Sequence, residues 1–326
     1  MVLMKTMKAL VVGAMALHTA LVSCVALAQD YPNKPIRIVV PYSPGGGTDA
    51  VARLLAQRLT SDLGQSVIVE NKPGASANIG TEFVARSPAD GYTILITAPN
   101  FTTSEALYDK LTWRFDDFIP LVHLVRYANV LVAAPDAKMA SVPEMIARNK
   151  ATPGAMTFGS AGTGSNAHLA MELLKQRVAI NPEHVPYKGS GPLKTDLLGN
   201  HILLGVDGLG GMIELIKTGQ LKALAVLAPK RTPLWPDVPS LGDFGIYDVD
   251  GNGWYGVLLP IGTPPAIVAK LHAAFVSVLA APDIRERLTA IGVEPVGGSS
   301  DSFRNYLLGE RRKWSGVISV AKVKVN

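Results

Sequence analysis

The chain has 326 residues, of which 48% are apolar, and 31 Lys and Arg against 26 Asp and Glu give a formal net charge of +5. No basic run is longer than Lys230-Arg231 or Arg311-Arg312-Lys313, which argues against nucleic acid as a partner. Cys24 is the only cysteine, so a disulfide framework and a cysteine zinc site are excluded.

Residues 1–28 carry Lys5 and Lys8, an apolar run from Ala9 to Val22, then Ala26-Leu27-Ala28, and no acidic residue. That is the tripartite form of a secretory signal peptide cleaved after Ala28, with an apolar run too short for a spanning helix. A rival reading stays open, because Leu21-Val22-Ser23-Cys24 has the form of a lipoprotein box that would leave Cys24 lipidated. Losing Lys5 and Lys8 takes the formal charge from +5 to +3 and leaves no cysteine. The mature chain, about 300 residues, is long enough for two domains with their own cores. The expectation is a soluble, exported, periplasmic protein.

Ile36 to Val40 is a short apolar run between Pro35 and Pro41, the pattern of a strand buried on both faces. Val51, Leu54, Leu55 and Leu59 then share one face of a helix. Between them, Pro44-Gly45-Gly46-Gly47 either cradles an anion on the free N–H groups of the helix start or forms a flexible turn capped by Thr48 or Asp49. Strand Val67 to Val69, helix Ile79 to Ala85 and strand Thr93 to Thr97 follow, an alternation that predicts an α/β fold with parallel sheets flanked by helices. Ala98-Pro99-Asn100 is read as a further loop at a strand's carboxyl end, the edge where open α/β sheets hold ligands.

A second unit is expected from about Ala128, with strand Val130 to Ala133, helix Val142 to Asn149 and strand Met156 to Phe158. The glycine device repeats there as Gly159-Ser160-Ala161-Gly162-Thr163-Gly164-Ser165, followed by a helix carrying Ala167, Met171 and Leu174. Strand Val185 to Tyr187, turn Lys188 to Pro192, strand Ile202 to Val206 with Asp207 at its end, helix Met212 to Lys217 and strand Leu221 to Leu227 complete it. Asp207 reads equally as a helix cap or as a pocket wall that takes a ligand ammonium or hydroxyl. After a proline-rich connection from Pro229 to Gly245, strand Tyr255 to Leu259, a helix behind Pro264-Pro265 and a last helix from Phe303 to about Ile318 rejoin the first unit. The predicted domains are 29–127 with 252–326, and 128–251, with Trp254 beside the second crossing placed to report any closure.

Several motifs fail on inspection. Gly162-Thr163-Gly164-Ser165-Asn166-Ala167 has the letters of a dinucleotide fingerprint, but the next strand ends in Lys188 where an acidic residue is needed. Asp248-Val249-Asp250-Gly251-Asn252-Gly253 copies half a calcium loop, but its twelfth position is Leu259. The histidines lack ligand spacing, so neither a metal nor a cofactor is expected. Ser160, Ser165 and Ser190 lie outside any Gly-x-Ser-x-Gly elbow, although His168 is one turn from Ser165 with Glu172 on the same exposed-looking stripe. An esterase-like hydrolase is the enzyme alternative, and binding without catalysis is the main expectation.

Tyr31-Pro32 through Ile36, Pro41-Tyr42-Ser43-Pro44-Gly45-Gly46-Gly47-Thr48-Asp49, Glu70-Asn71-Lys72-Pro73-Gly74, Asp90-Gly91-Tyr92-Thr93, Val185-Pro186-Tyr187-Lys188-Gly189 and Pro236-Asp237-Val238-Pro239 resemble the Bug-type substrate-binding proteins of tripartite tricarboxylate transporters. The resemblance spans the mature chain. It implies a two-domain periplasmic-binding-protein-like (Venus flytrap) fold that closes on a small carboxylate, an organic acid or amino acid, and passes it to integral-membrane transporter subunits. It places Tyr42, Ser43, Gly45, Gly46, Thr48 and Asp49 of one loop and Ser160, Gly162, Thr163, Gly164 and Ser165 of the other around the ligand, with Asn100 and Asp207 completing the candidate set. A monomer is expected. Where the family commonly has an aromatic residue and then Asp-Asn, this chain has Val206-Asp207-Gly208, so the Asn contact does not carry over. A sensor subunit that binds the same ligand and docks on a signalling receptor is the alternative role.

Overall fold

The computed structural model describes residues 31–325, so the signal segment and Cys24 lie outside the described residues. In chain order the first elements are β1 (Ile36–Val40), α1 (Gly47–Leu63), β2 (Val67–Asn71), α2 (Asn78–Ala85), β3 (Thr93–Thr97), α3 (Asn100–Leu107) and β4 (Phe118–Tyr127). Next come β5 (Asn129–Ala133), α4 (Val142–Ala151), β6 (Thr157–Ser160), α5 (Asn166–Val178), β7 (Glu183–Pro186), α6 (Ser190–Leu198), β8 (Leu204–Gly208), α7 (Leu209–Lys217) and β9 (Lys222–Val226). The chain ends with β10 (Gly253–Pro260), α8 (Pro265–Ala280), α9 (Pro282–Ala290), β11 (Glu294–Gly297) and α10 (Ser300–Ala321). Among the described residues no single helix is long and apolar enough to cross a membrane.

These strands make two sheets, ordered β11-β4-β10-β3-β1-β2 and β7-β6-β8-β5-β9. The sheets are mixed: β1 runs parallel to β2 and β3, but β10 is antiparallel to β3 and β4, and β11 is antiparallel to β4. In the second sheet β6 is parallel to β7 and β8, while β5 is antiparallel to β8 and β9. β5 and β10, which run against their parallel neighbours, each follow a change of sheet, whereas β11 follows β10 within the same sheet. β4 and β5 are consecutive in the chain and pair in different sheets, and β10 returns the chain to the first.

Alternation along the strands builds a core on each face. Ile36, Ile38 and Val40 pack with Val51, Leu55 and Leu59 of α1 and Leu271 and Phe275 of α8, whereas Val39 points to the opposite layer with Leu95, Phe101, Trp113 and Phe303. The second sheet does the same, with Leu131, Phe158 and Leu204 against α5 and Val130, Val132 and Val226 against Leu193, Met212 and Ile213.

Helix α10 belongs to neither core alone. Phe303 and Leu307 at its start enter the first unit, and Trp314, Val317 and Ile318 near its end enter the second. Each large side chain buried this way contributes about 1.5–3 kcal/mol, so the helix fastens the units as well as covering them. Midway, Glu310 accepts the Trp314 indole N–H at 2.8 Å and pairs with Lys313, whose ammonium also donates to the Asp250 carbonyl at 2.9 Å. The acidic turn between β9 and β10 is therefore tied down by protein groups, with Asp248 bonded to Arg177 at 3.0 Å.

Candidate functional site

The carboxyl ends of β1, β3, β6 and β8 open on one cleft of about 420 Å³ between the two sheets. Five helices begin at its wall: α1 with Gly47 and Thr48, α3 with Asn100, α5 with Asn166 and Ala167, α6 with Ser190, and α7 with Gly210 and Gly211. Each start presents N–H groups without helical acceptors and the positive end of a peptide dipole. Among the lining residues there is no Lys or Arg, and Asp207 is the one carboxylate.

Tyr42, Tyr127 and Tyr255 complete the wall, with the Tyr127 and Tyr255 rings 5.1 Å apart. Burial raises all three phenols above the usual tyrosine value, Tyr255 to about 12, so each stays a neutral hydroxyl that can donate.

Of the candidates from the first glycine loop, Tyr42 and Thr48 line the cleft. Ser43, Gly45 and Gly46 lie exposed at its outer edge. Asp49 is buried behind them: its carboxylate accepts the Gly45 N–H at 2.9 Å, Arg53 Nε at 3.0 Å and Asn71 Nδ2 at 2.9 Å. Burial opposes its ionisation, but these three donors outweigh that and hold the carboxyl below its usual range. Asn71 Nδ2 also donates to the Tyr42 carbonyl at 3.1 Å, so the pair fixes the loop from behind. Gly45 has φ +84° and needs to be glycine, whereas Gly46 is extended at φ −78°. Gly47 is demanded by space, since a Cβ there would sit 2.5 Å from the Tyr255 hydroxyl.

In the second loop only Ser165 of the candidates reaches the cleft. Thr163 is exposed, and Gly162 and Gly164 shape the turn with φ of +142° and +73°. Ser160 is fully buried with its hydroxyl 2.7 Å from His184 Nε2. Ser165 caps α5 by accepting the His168 N–H at 3.2 Å. His168 does not serve Ser165: its Nδ1 accepts the Gly164 N–H at 3.0 Å, its other nitrogen faces Glu172, and its ring stacks on His184 at 3.7 Å. Glu172 is buried and paired with Lys175 at 2.7 Å, which corrects its reading as part of an exposed stripe. Burial first, and His168 next, push His184 down to about 3. Neither of the two serines that line the cleft, Ser165 and Ser190, has a histidine base, and Ser160, which has one, is out of the cleft.

Asn100 lines the cleft from the first turn of α3, not from a loop. Asp207, the penultimate residue of β8, also lines it, accepting the Gly208 N–H at 2.9 Å. Burial raises its carboxyl above the usual range against the opposing effects of Ser190, the Gly208 N–H and Lys194. Sequence reasoning missed Tyr127, Asn129, Asn166, Ser190 and Tyr255. Asn129, first residue of the second sheet, donates to the Gly251 carbonyl at 2.7 Å and to Asn166 Oδ1 at 2.5 Å, joining the two crossings to the start of α5.

Residues 51–323 match the model of the tripartite tricarboxylate transporter family receptor. The chain is 34% identical to Protein BugT of Bordetella pertussis over 99% of its own length and 100% of the relative's. Among solved structures, R. palustris Rpa4515 with adipate is 32% identical with a TM-score of 0.82, covering 91% of this chain and 100% of that one. The periplasmic binding protein BugD is also 32% identical, with a TM-score of 0.78 over 90% of this chain and 100% of its own.

Proposed function

The chain belongs to the tripartite tricarboxylate transporter receptor family, and on that premise we propose that it is a periplasmic solute-binding protein. It captures a small carboxylate between its two units and hands it to the membrane subunits of a tripartite tricarboxylate-type transporter. The observation that carries this reading is the convergence of five helix starts on a cleft with no lining Lys or Arg. N–H groups that meet no helical acceptor bond an ionised group at about 1.5–3 kcal/mol each, and the peptide dipoles add to them without a mobile cation. The adipate bound in the Rpa4515 structure is a ligand of the same chemistry.

The units 29–127 with 252–326, and 128–251, would move about the crossings at Ala128 and Gly251 to Gly253, since the groups facing the ligand come from both. A secretory leader fits that compartment. Ligand is bound and released unchanged on this reading, because neither cleft serine, Ser165 or Ser190, is paired with a histidine base.

A thermal-shift screen of mono-, di- and tricarboxylates and amino acids on refolded, ligand-stripped protein tests the reading. A true ligand at 100 times its dissociation constant should stabilise by about 2.7 kcal/mol, a rise of several degrees. Stabilisation by neutral sugars and by no carboxylate would contradict it.

A further inference from the structure

Behind the second glycine loop lies a polar cluster that faces away from the cleft. Ser160, the last residue of β6, is fully buried, and its hydroxyl meets His184 Nε2 at 2.7 Å, the Gly162 carbonyl at 3.2 Å, and both the Gly162 N–H and the Ser165 hydroxyl at 3.4 Å. A serine hydroxyl has one proton to give and two lone pairs to fill. These four neighbours cannot all be served at once, and the proton on His184 decides which is left out. Burial first, and His168 next, keep that ring uncharged near neutral pH, so its one N–H proton sits on one nitrogen or the other. His168, stacked on it at 3.7 Å, cannot take the same part: its Nδ1 accepts the Gly164 N–H at 3.0 Å, which puts its proton on the nitrogen facing Glu172.

With the proton on Nε2, His184 and the Gly162 N–H fill both lone pairs of Ser160, whose own proton goes to the Gly162 carbonyl. Ser165 then finds no acceptor there. Its oxygen takes the His168 N–H at 3.2 Å, and its proton is left to point into the cleft that it lines. With Nε2 bare, Ser160 donates to the ring and one of its lone pairs opens for Ser165, while the Gly162 carbonyl keeps only the Ser165 N–H at 3.1 Å. The Ser165 proton turns inward, and a lone pair faces the cleft. We propose that His184 is a positioning residue, which by donating from Nε2 to Ser160 frees the Ser165 hydroxyl to donate to the bound solute. The inference rests on the carboxylate-binding reading above and adds to it the group that sets the direction of one donor. An anion in the cleft selects this arrangement, because the other confronts it with a lone pair.

Calorimetric titration of ligand-stripped protein at pH 7.5 with adipate, malate and glutamate as probes, run on a double-mutant cycle, is the test, paired with nitrogen NMR spectra of the histidine rings. In the wild-type complex with the tightest probe, His184 Nε2 should be the protonated nitrogen. Ser165→Ala should weaken that probe about tenfold in the wild-type background, as loss of one hydrogen bond to a charged group does, and less than about twofold beside His184→Phe. The cap that Ser165 gives α5 is lost in both backgrounds and cancels. His184→Gln, whose amide can donate in place of Nε2, should bind nearly as the wild type does, whereas a role in ring packing alone would favour His184→Phe over it. Melting temperatures show which variants are folded, and the spectra of the wild-type protein decide the case without any variant. A bare Nε2 in the complex, or equal Ser165→Ala losses beside His184 and in folded His184→Phe, overturns the positioning role and leaves carboxylate binding standing. Binding of none of the three probes overturns both.

Discussion

The hydroxyl of Thr232 donates to the carboxylate of Glu294 at 2.6 Å, joining the segment after β9 of the second unit to β11 of the first sheet. The same seam brings Gly210 against the Ile291 carbonyl and Gly292 against the Trp235 ring, at positions where a Cβ would lie 2.9 Å and 2.6 Å from those groups. Ile291, Gly292, Gly210 and Gly211 all line the cleft, so the seam shuts one of its ends. Thr232→Val keeps the shape and removes the bond, which favours the open arrangement. Ligand should bind up to about tenfold more weakly, chiefly by faster release, as stopped-flow displacement would measure.

The Trp235 ring packs across that seam, whereas Trp254 is fully buried against Phe303 within the first unit. Trp235 is accordingly the better reporter of opening than Trp254, contrary to what its place beside the crossing suggests. Ligand should change fluorescence in Trp254→Phe and leave it nearly constant in Trp235→Phe.

Asp49→Ala should cost about 1–3 kcal/mol of stability in urea titrations, because it removes the one buried acceptor shared by the Gly45 N–H, Arg53 and the Asn71 amide. Binding should fall with it, since the loop holding Tyr42 and Thr48 loses its support. Ser43→Ala, at an exposed position, should change neither.

Within the first glycine run the expected costs are uneven. Gly46→Ala meets nothing nearer than 3.8 Å in an extended conformation, so it should be neutral or stabilise by about 0.5–1 kcal/mol. Gly47→Ala would drive a methyl group into the Tyr255 hydroxyl at 2.5 Å and should disturb the cleft itself. Thermal melts and titrations of the two variants separate the cases; equal loss of binding in both would contradict the assignment.

Acid should weaken the second unit through His184. Its folded pKa, about 3, lies below the ordinary value of 6.5, so the neutral ring is the stabilised form. The associated stability is fully present above pH 6.5 and declines as pH falls towards 3. His184→Gln, which can still bond Ser160, should flatten the fall between those limits in pH-dependent unfolding curves.

Some elements were legible because the residues themselves decide them. The bounds of β1 and β3 follow from Ile36–Val40 and Thr93–Thr97, apolar runs between prolines or polar turns. Helix α3, Asn-Phe-Thr-Thr-Ser-Glu-Ala-Leu, lacks an apolar stripe; burial of Phe101, Thr102, Thr103 and Ser104 makes it a helix, with Thr102 bonded to the Pro99 carbonyl at 2.9 Å. Lys188 to Pro192 reads as a turn, yet α6 starts at Ser190, with Pro192 inside the first turn where it costs no hydrogen bond. The glycine loops were visible in composition, but the tyrosine wall was not. Tyr127 and Tyr255 meet only because β4 and β10 are neighbours in the sheet, a pairing across more than a hundred residues that no local pattern encodes.

A crystal structure of ligand-stripped protein reloaded with its tightest-binding carboxylate tests the two-unit clamp most directly. One carboxylate group should lie within about 3 Å of backbone N–H groups at the starts of α1 and α5 together, contacting both units at once. A ligand seated on one unit alone, or outside the cleft lined by Thr48, Ser165 and Asp207, would contradict it.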